Sequence, residues 1–338
     1  MRRVAAAAER ELHEVWLAPP RITDTGLSLY RDEREGPLPE VRPSRYRVWI
    51  DEPEFLLHQR AVRESGWDMT HRFGDRGHRT LPVCLNALLY GYERDLAEIY
   101  RRVDGPLSTD ASRLEAAAAE RKSRIDRLLW DEARGLYFDW DIDRRERNTY
   151  EHVASFYALW VGLASRAQAA RIERSLPLFE MPGGLAVSSE RSRRRAGGED
   201  LQWDWPNGWA PHQVIAIEGL RRYGFTADAD RIAVGWLSMI FDVAGANDAL
   251  IKEKYDVVAR TADVPAEYGN QGGDRGPLAT YSRSCRRWPR PPSCVTLTLR
   301  DALERPIGFG WTNASVTLLL RGLSADGRRG LELTSRAR

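Results

Sequence analysis

Apolar residues recur along this chain at the spacing of one face of an α-helix. Leu85, Leu88, Leu89, Tyr92, Leu96 and Ile99 fall at i, i+3, i+4, i+7, i+11 and i+14, which places them on one inward stripe. Val153, Phe156, Tyr157, Trp160 and Leu163 repeat the pattern. Residues 109–129 are rich in alanine and charge, and Ser108-Thr109 ahead of them offers a side-chain oxygen to cap the first turn. The same reading predicts helices near 6–17, 53–64, 168–178, 211–223, 227–241 and 312–322. Weak alternation over Leu136–Ile142 predicts one short hairpin arm. Helices joined by loops with little strand predict an all-α protein of stacked helix pairs around one core.

Composition fits that picture. The chain has 338 residues, long for one domain but possible for a helical barrel. Hydrophobic residues make up 42%, enough for a sizeable core. Charged residues reach 30% yet balance to +2, and this argues against a nucleic-acid partner, which needs a concentrated basic stripe. Arginine is dense at Arg191-Ser192-Arg193-Arg194-Arg195 and at Arg286-Arg287, read as solvated loop charge. No run of 18 apolar residues exists, so no membrane span is expected. Met1-Arg2-Arg3-Val4 and the following alanines lack a sustained apolar segment, so no signal peptide is expected. A cytoplasmic setting is then the default, with a periplasmic or secreted one if the true N-terminus is missing. Cys84, Cys285 and Cys294 form no CxxC or Cys/His metal spacing, and the last two are expected to be free. His71, His78, His152 and His212 show no metal spacing either and are read as structural or surface. No metal and no cofactor is implied.

The chemistry concentrates in Gln202-Trp203-Asp204-Trp205-Pro206-Asn207-Gly208-Trp209-Ala210-Pro211. Three tryptophans alternate with an acid, an amide and a Pro-Asn-Gly segment that reads as a turn. Flat apolar rings beside hydrogen-bonding groups suit a sugar, and they equally suit a tryptophan-rich plug of a core.

This run closely resembles the second signature of the trehalases, inverting glycoside hydrolases that split α,α-trehalose. Further segments are similar to that family in the same order: Glu64-Ser65-Gly66-Trp67-Asp68, Pro82-Val83-Cys84-Leu85-Asn86-Ala87, Asp131 to Asp139, Glu253-Lys254-Tyr255-Asp256-Val257, Glu267-Tyr268 and Gly308-Phe309-Gly310-Trp311-Thr312-Asn313. The resemblance spans roughly residues 8–320 and lacks the family's first signature, a Pro-Gly-Gly-Arg-Phe run, and the Arg-Ser-Gln segment after it. It implies an (α/α)6 toroid, expected to be incomplete on the N-terminal side, over residues 1–324, with insertions near 190–200 and 272–306 and a polar tail at 325–338.

The resemblance also implies the site. Hydrolysis of a glycoside needs two carboxyls flanking the scissile bond, and an inverting enzyme leaves room for a water between them, about 6.5–9.5 Å. The general acid maps onto Asp68, where Trp67 can desolvate the carboxyl. The general base maps onto Glu267, supported by Tyr268 and Gln271, although Asp263-Val264-Pro265-Ala266 replaces the family's glycine run. Glu40 matches a sugar-contacting carboxylate, with Leu38 in place of an arginine that would offer a fork of donors. Cys84 stands where the family has aspartate. Asn86 either bonds the sugar or caps its helix. Gly66 offers a main-chain carbonyl. Trp203, Trp209 and Trp311 are candidates to stack on pyranose faces, at least one of them belonging to the core instead. Gln202, Asp204 and Asn207 are their polar companions in the Trp loop.

The expected function is hydrolysis of α,α-trehalose to two glucose molecules, with little or no turnover by this chain alone and association through an exposed apolar face. A non-catalytic fragment or pseudoenzyme with residual sugar binding is the rival, favoured by Leu38, Cys84 and Pro265. A different (α/α)-barrel glycosidase comes third.

Overall fold

A computed structural model describes residues 1–32, 53–198, 200–246, 250–264 and 310–336. Eleven α-helices run through the described residues: α1 Arg2–Glu11, α2 Pro53–Ser65, α3 Val83–Asp104, α4 Thr109–Leu128, α5 Ser155–Trp160, α6 Arg166–Arg174, α7 Glu190–Ala196, α8 Ala210–Arg222, α9 Thr226–Ala246, α10 Gly310–Gly322 and α11 Ala325–Arg336. The strands are short and sit in the loops: β1 Thr80–Leu81, β2 Trp130–Asp131, β3 Leu136–Tyr137, β4 Trp140–Asp141, β5 Glu146–Arg147, β6 Glu180–Met181, β7 Gly184–Leu185, β8 Asn207–Trp209 and β9 Lys254–Asp256. The protein is all-α in class, as the periodicity predicts.

Local chemistry accounts for the helix ends. Ser108 caps α4 by accepting from the Ala111 N–H. Ser165 and Gln168 form a reciprocal capping box on α6, each side chain bonding the other's main chain. Pro177 lacks an N–H, so the helix predicted to reach 178 stops at Arg174 and continues only as one tight turn, Leu176–Leu178. The first helix likewise passes into a wider turn over Leu12–Trp16.

Helix α3 packs on α4 and α5, α5 on α6 and α8, α8 on α9 and α10, and α9 on α11. A row of sequential neighbours, α3-α5-α8-α10, is thus backed by α4, α6, α9 and α11. Gly219 sets the α5–α8 spacing, since a Cβ there would lie 2.9 Å from both Leu159 Cβ and the Trp160 nitrogen. One continuous core runs through the assembly, with Phe156, Phe179, Tyr137, Trp236 and Trp209 fully buried.

Several expectations need correcting. Residues 190–196 form α7 rather than an inserted loop, because Ser189 accepts from the Ser192 N–H and starts a turn. Its arginines are not merely solvated: buried Arg193 bonds the Gly197 carbonyl at 2.9 Å and Asp200 at 2.7 Å, and Arg191 pairs with the buried Glu151. The 325–336 part of the expected tail is α11, which lays buried Leu331 toward α9. The single hairpin arm is two elements, a β2–β3 hairpin and a β1-β4-β5 sheet. The 272–306 segment lies outside the described residues.

Candidate active site

The site begins where α2 ends. Gly66 adopts φ +73, a left-handed conformation that glycine tolerates and that turns the chain out of the helix. Gly66 is exposed, Trp67 turns inward to 3% exposure, and Asp68 is partly exposed. The Trp67 ring has the Arg72 guanidinium 4.2 Å from its centroid and the tilted His212 ring at 4.4 Å.

Successive residues of the tryptophan motif grip successive residues of this loop. The Gln202 side-chain amide donates to the Asp68 carbonyl. The Trp203 N–H donates to the Met69 carbonyl at 3.0 Å. The Asp204 carboxylate accepts from the Thr70 hydroxyl at 2.9 Å and the His71 N–H at 2.8 Å, and also from the Tyr150 hydroxyl at 2.8 Å. Asp204 is fully buried, and burial pushes its carboxyl above the usual range against the pull of these donors. The motif is therefore a mould for residues 68–71.

Below the loop lies a buried ion pair. Arg72 bonds Asp139 through two parallel contacts of 2.7 Å, with the Cys84 sulfur 3.5 Å from the same guanidinium. Burial alone would raise the Asp139 carboxyl, but Arg72, with His152 beside it, holds it well below its ordinary value. Asp139 also accepts the Val83 N–H at 2.8 Å and so anchors the start of α3. Burial, helped by the charge of Arg72, holds His212 down to about 3, so its ring is neutral.

The tryptophans divide. Trp203 and Trp209 stack face to face, 3.7 Å apart and 7° from parallel, and are only 5% and 1% exposed. Of the three candidates for a pyranose face, at least one was expected in the core; the structure places both of these there. Trp311, at the start of α10, is 40% exposed and touches Trp209 edge-on at 5.9 Å. Asn207 opens β8, pairing opposite Asp256, so Pro206-Asn207-Gly208 leads into a strand rather than closing a free turn. Gly208 is needed for close approach, since a Cβ there would meet the Leu185 carbonyl at 2.8 Å. The Asn207 amide donates weakly to the Leu201 carbonyl at 3.3 Å.

Asn86 takes the helix-start role rather than a sugar contact. It is fully buried, accepts from the Ser28 N–H and donates to the Ser28 and Pro82 carbonyls, each at 2.9 Å. Cys84 is buried and free. Glu40, Glu267, Leu38 and Pro265 lie outside the described residues. Among the described residues no cluster of three metal-ligating side chains occurs. A groove of about 870 Å³ runs between α3 and the ends of α5 and α8, lined by Trp16, Leu85, Leu88, Leu89 and Trp160, and it includes none of residues 66–72.

Sequence reasoning gave no role to Arg72, Asp139, Tyr150 and Lys254. For three of them a faint signal was present: Arg72, Asp139 and Lys254 each adjoin an aromatic, and Asp139 and Lys254 lie inside segments that carried the resemblance, whereas nothing in the sequence marks Tyr150.

Comparison with known proteins bears on the family of the chain. The trehalase family model matches residues 50–279. The cytosolic neutral trehalase of Saccharomyces cerevisiae is 35% identical over 98% of this chain and 46% of its own length. That of Pyricularia oryzae is 36% identical over 98% of this chain and 48% of its own. The structure of neutral trehalase Nth1 from Saccharomyces cerevisiae superposes with a TM-score of 0.76 at 33% identity, covering 98% of this chain and 59% of that one. A mannosylglycerate hydrolase from Thermus thermophilus shares the fold, with a TM-score of 0.54 at 20% identity over 79% of this chain and 67% of its own. The helix pairing is accordingly that of the (α/α)6 toroids. The chain spans about half the length of the curated relatives it matches. On the strength of the family match and these relatives, the chain belongs to the trehalase family.

Proposed function

We propose that this chain carries the catalytic acid loop of a glycosidase that hydrolyses α,α-trehalose with inversion. Asp68 is the general acid: it hands a proton to the bridging oxygen as the glycosidic bond breaks. Glu267 is the general base: it takes a proton from the water that attacks the anomeric carbon from the opposite face. Both products are glucose. Trp311, the exposed ring of the three, is the surface for a pyranose face, and Gly66, an exposed residue two positions ahead of Asp68, offers its main-chain carbonyl. No cofactor is required by this chemistry. A cytosolic setting follows the names of the yeast and fungal relatives.

The observation that carries this reading is the mould around residues 68–71. General acid catalysis demands a carboxyl fixed relative to the leaving oxygen, and misplacement of about 1 Å can cost 10²-fold. Three consecutive residues of the Trp motif fix that loop. A second reading, a non-catalytic chain with residual sugar binding, draws support from the enclosed Trp203–Trp209 stack and from Cys84 facing Arg72. The experiment is glucose release from α,α-trehalose by the purified chain beside Asp68→Asn. Release that disappears in the variant supports the acid, release that survives removes Asp68 from the mechanism, and none from the unmodified chain selects the non-catalytic reading.

A further inference from the structure

Lys254 is a lysine with no exposure to solvent. It stands on β9 opposite Trp209 of β8. Its ammonium donates to the Gln202 side-chain oxygen at 3.0 Å and to the Glu253 carboxylate at 2.8 Å. It also lies 4.9 Å from the Trp209 ring centroid, within reach of a cation–π contact. Burying a cation is costly unless it is paired and hydrogen-bonded. The protein keeps one under the loop that bears Asp68.

A glutamine amide is two-faced, one end donating and the other accepting. An ammonium can only donate, so the Gln202 oxygen must face Lys254. The NH2 end is thereby turned to the Asp68 carbonyl, to which it donates. With the amide reversed, its oxygen would oppose that carbonyl and push the loop away. The Glu253 main chain is itself held, its carbonyl accepting from the Thr312 hydroxyl of α10 at 3.2 Å.

We propose that Lys254 is a positioning residue for the acid: its ammonium fixes the orientation of the Gln202 amide, and through it the main chain at Asp68. This rests on the reading of Asp68 as the general acid for its catalytic meaning, but not for its structural content.

The test separates the two. The chain has five glutamines, so 15N-glutamine labelling gives five side-chain amide pairs, and Gln202→Glu identifies the pair of interest. In the unmodified chain the Gln202 amide is expected to be shielded from hydrogen exchange. In Lys254→Met it is expected to exchange at least roughly tenfold faster, the order of change that loss of one net hydrogen bond brings. The Gln213 amide, buried and bonded to both polar main-chain atoms of Leu185, should stay protected and report an intact fold. Should Lys254→Met unfold, Lys254→Arg keeps a cation and is expected to keep Gln202 shielded. An unchanged Gln202 amide in folded Lys254→Met, or an exposed one in folded Lys254→Arg, overturns the proposal. Where glucose release is measurable, Lys254→Met should lower kcat by up to roughly 10²-fold with little change in KM. In a Gln202→Ala background it should lower kcat no further, and additive losses would show that Lys254 does not act through Gln202. Absence of Asp68-dependent turnover would end the trehalose reading and leave the amide measurement intact.

Discussion

Gln202 and Asp68, 134 residues apart in the chain, are joined by a hydrogen bond from the glutamine amide to the aspartate's main-chain carbonyl. The contact ties the strand-bearing Trp motif to the loop after α2. Around it, the Trp203 N–H and the Asp204 carboxylate repeat the grip one and two residues further on. The motif thus shapes the loop of residues 68–71 from behind.

Removal of the buried carboxylate should loosen that grip. Asp204→Ala leaves the Thr70 hydroxyl, the His71 N–H and the Tyr150 hydroxyl without their acceptor. A loss of about 2–4 kcal/mol is expected from unmade buried hydrogen bonds. Urea unfolding measures it, and a change under about 0.5 kcal/mol, the range of ordinary surface substitutions, would mean that the mould is not rigid.

The paired tryptophans and the exposed one should behave differently. Trp209→Ala opens a cavity in the core and is expected to cost about 3–5 kcal/mol. Trp311→Ala removes a ring that is 40% exposed and should cost well under that, while weakening trehalose binding. Thermal melts and calorimetric titration with the sugar check both halves, and equal destabilisation by the two substitutions would contradict the division.

Acidification should destabilise the fold before the carboxylates titrate. Burial lowers His212 from 6.5 to about 3 and His58 from 6.5 to about 4. A base whose folded value is depressed contributes stability above its unfolded value, and this is lost as pH falls through the gap. Each histidine then removes about 1.4 kcal/mol per pH unit below pH 6.5. Denaturant midpoints between pH 7 and 4.5 should therefore fall, and His212→Gln should flatten the slope by about one histidine's share. A pH-independent midpoint over that range would refute the assignment.

Breaking the ion pair beneath the loop should be severe. Asp139→Asn leaves Arg72, which is fully buried, without its counter-charge. The expected cost is about 3–5 kcal/mol at neutral pH. Asp139 is held ionised well below its ordinary value of 3.8, so the difference between wild type and variant should persist above about pH 4 and shrink as pH falls through the folded value. Unfolding curves at pH 7 and pH 3 make the comparison.

The sequence by itself determined the helices, because a 3.6-residue apolar period and a capping serine are local properties: α3, α4, α8 and α9 lie where the pattern puts them. It also singled out the two segments that the fold brings together, Gly66-Trp67-Asp68 and the Gln202–Pro211 run. The tertiary structure alone decided what those residues face. Trp203 and Trp209 look like a sugar platform in sequence but stack on each other inside the core. Asn86 could serve a ligand or its helix in sequence but clamps Ser28 and the start of α3, and Arg193 looks like surface charge but closes a turn. The reason is physical: a side chain's partner is set by which distant segment packs against it. The Gln202–Asp68, Asp204–Thr70 and Arg72–Asp139 contacts bridge 134, 134 and 67 residues, separations over which no local pattern carries information.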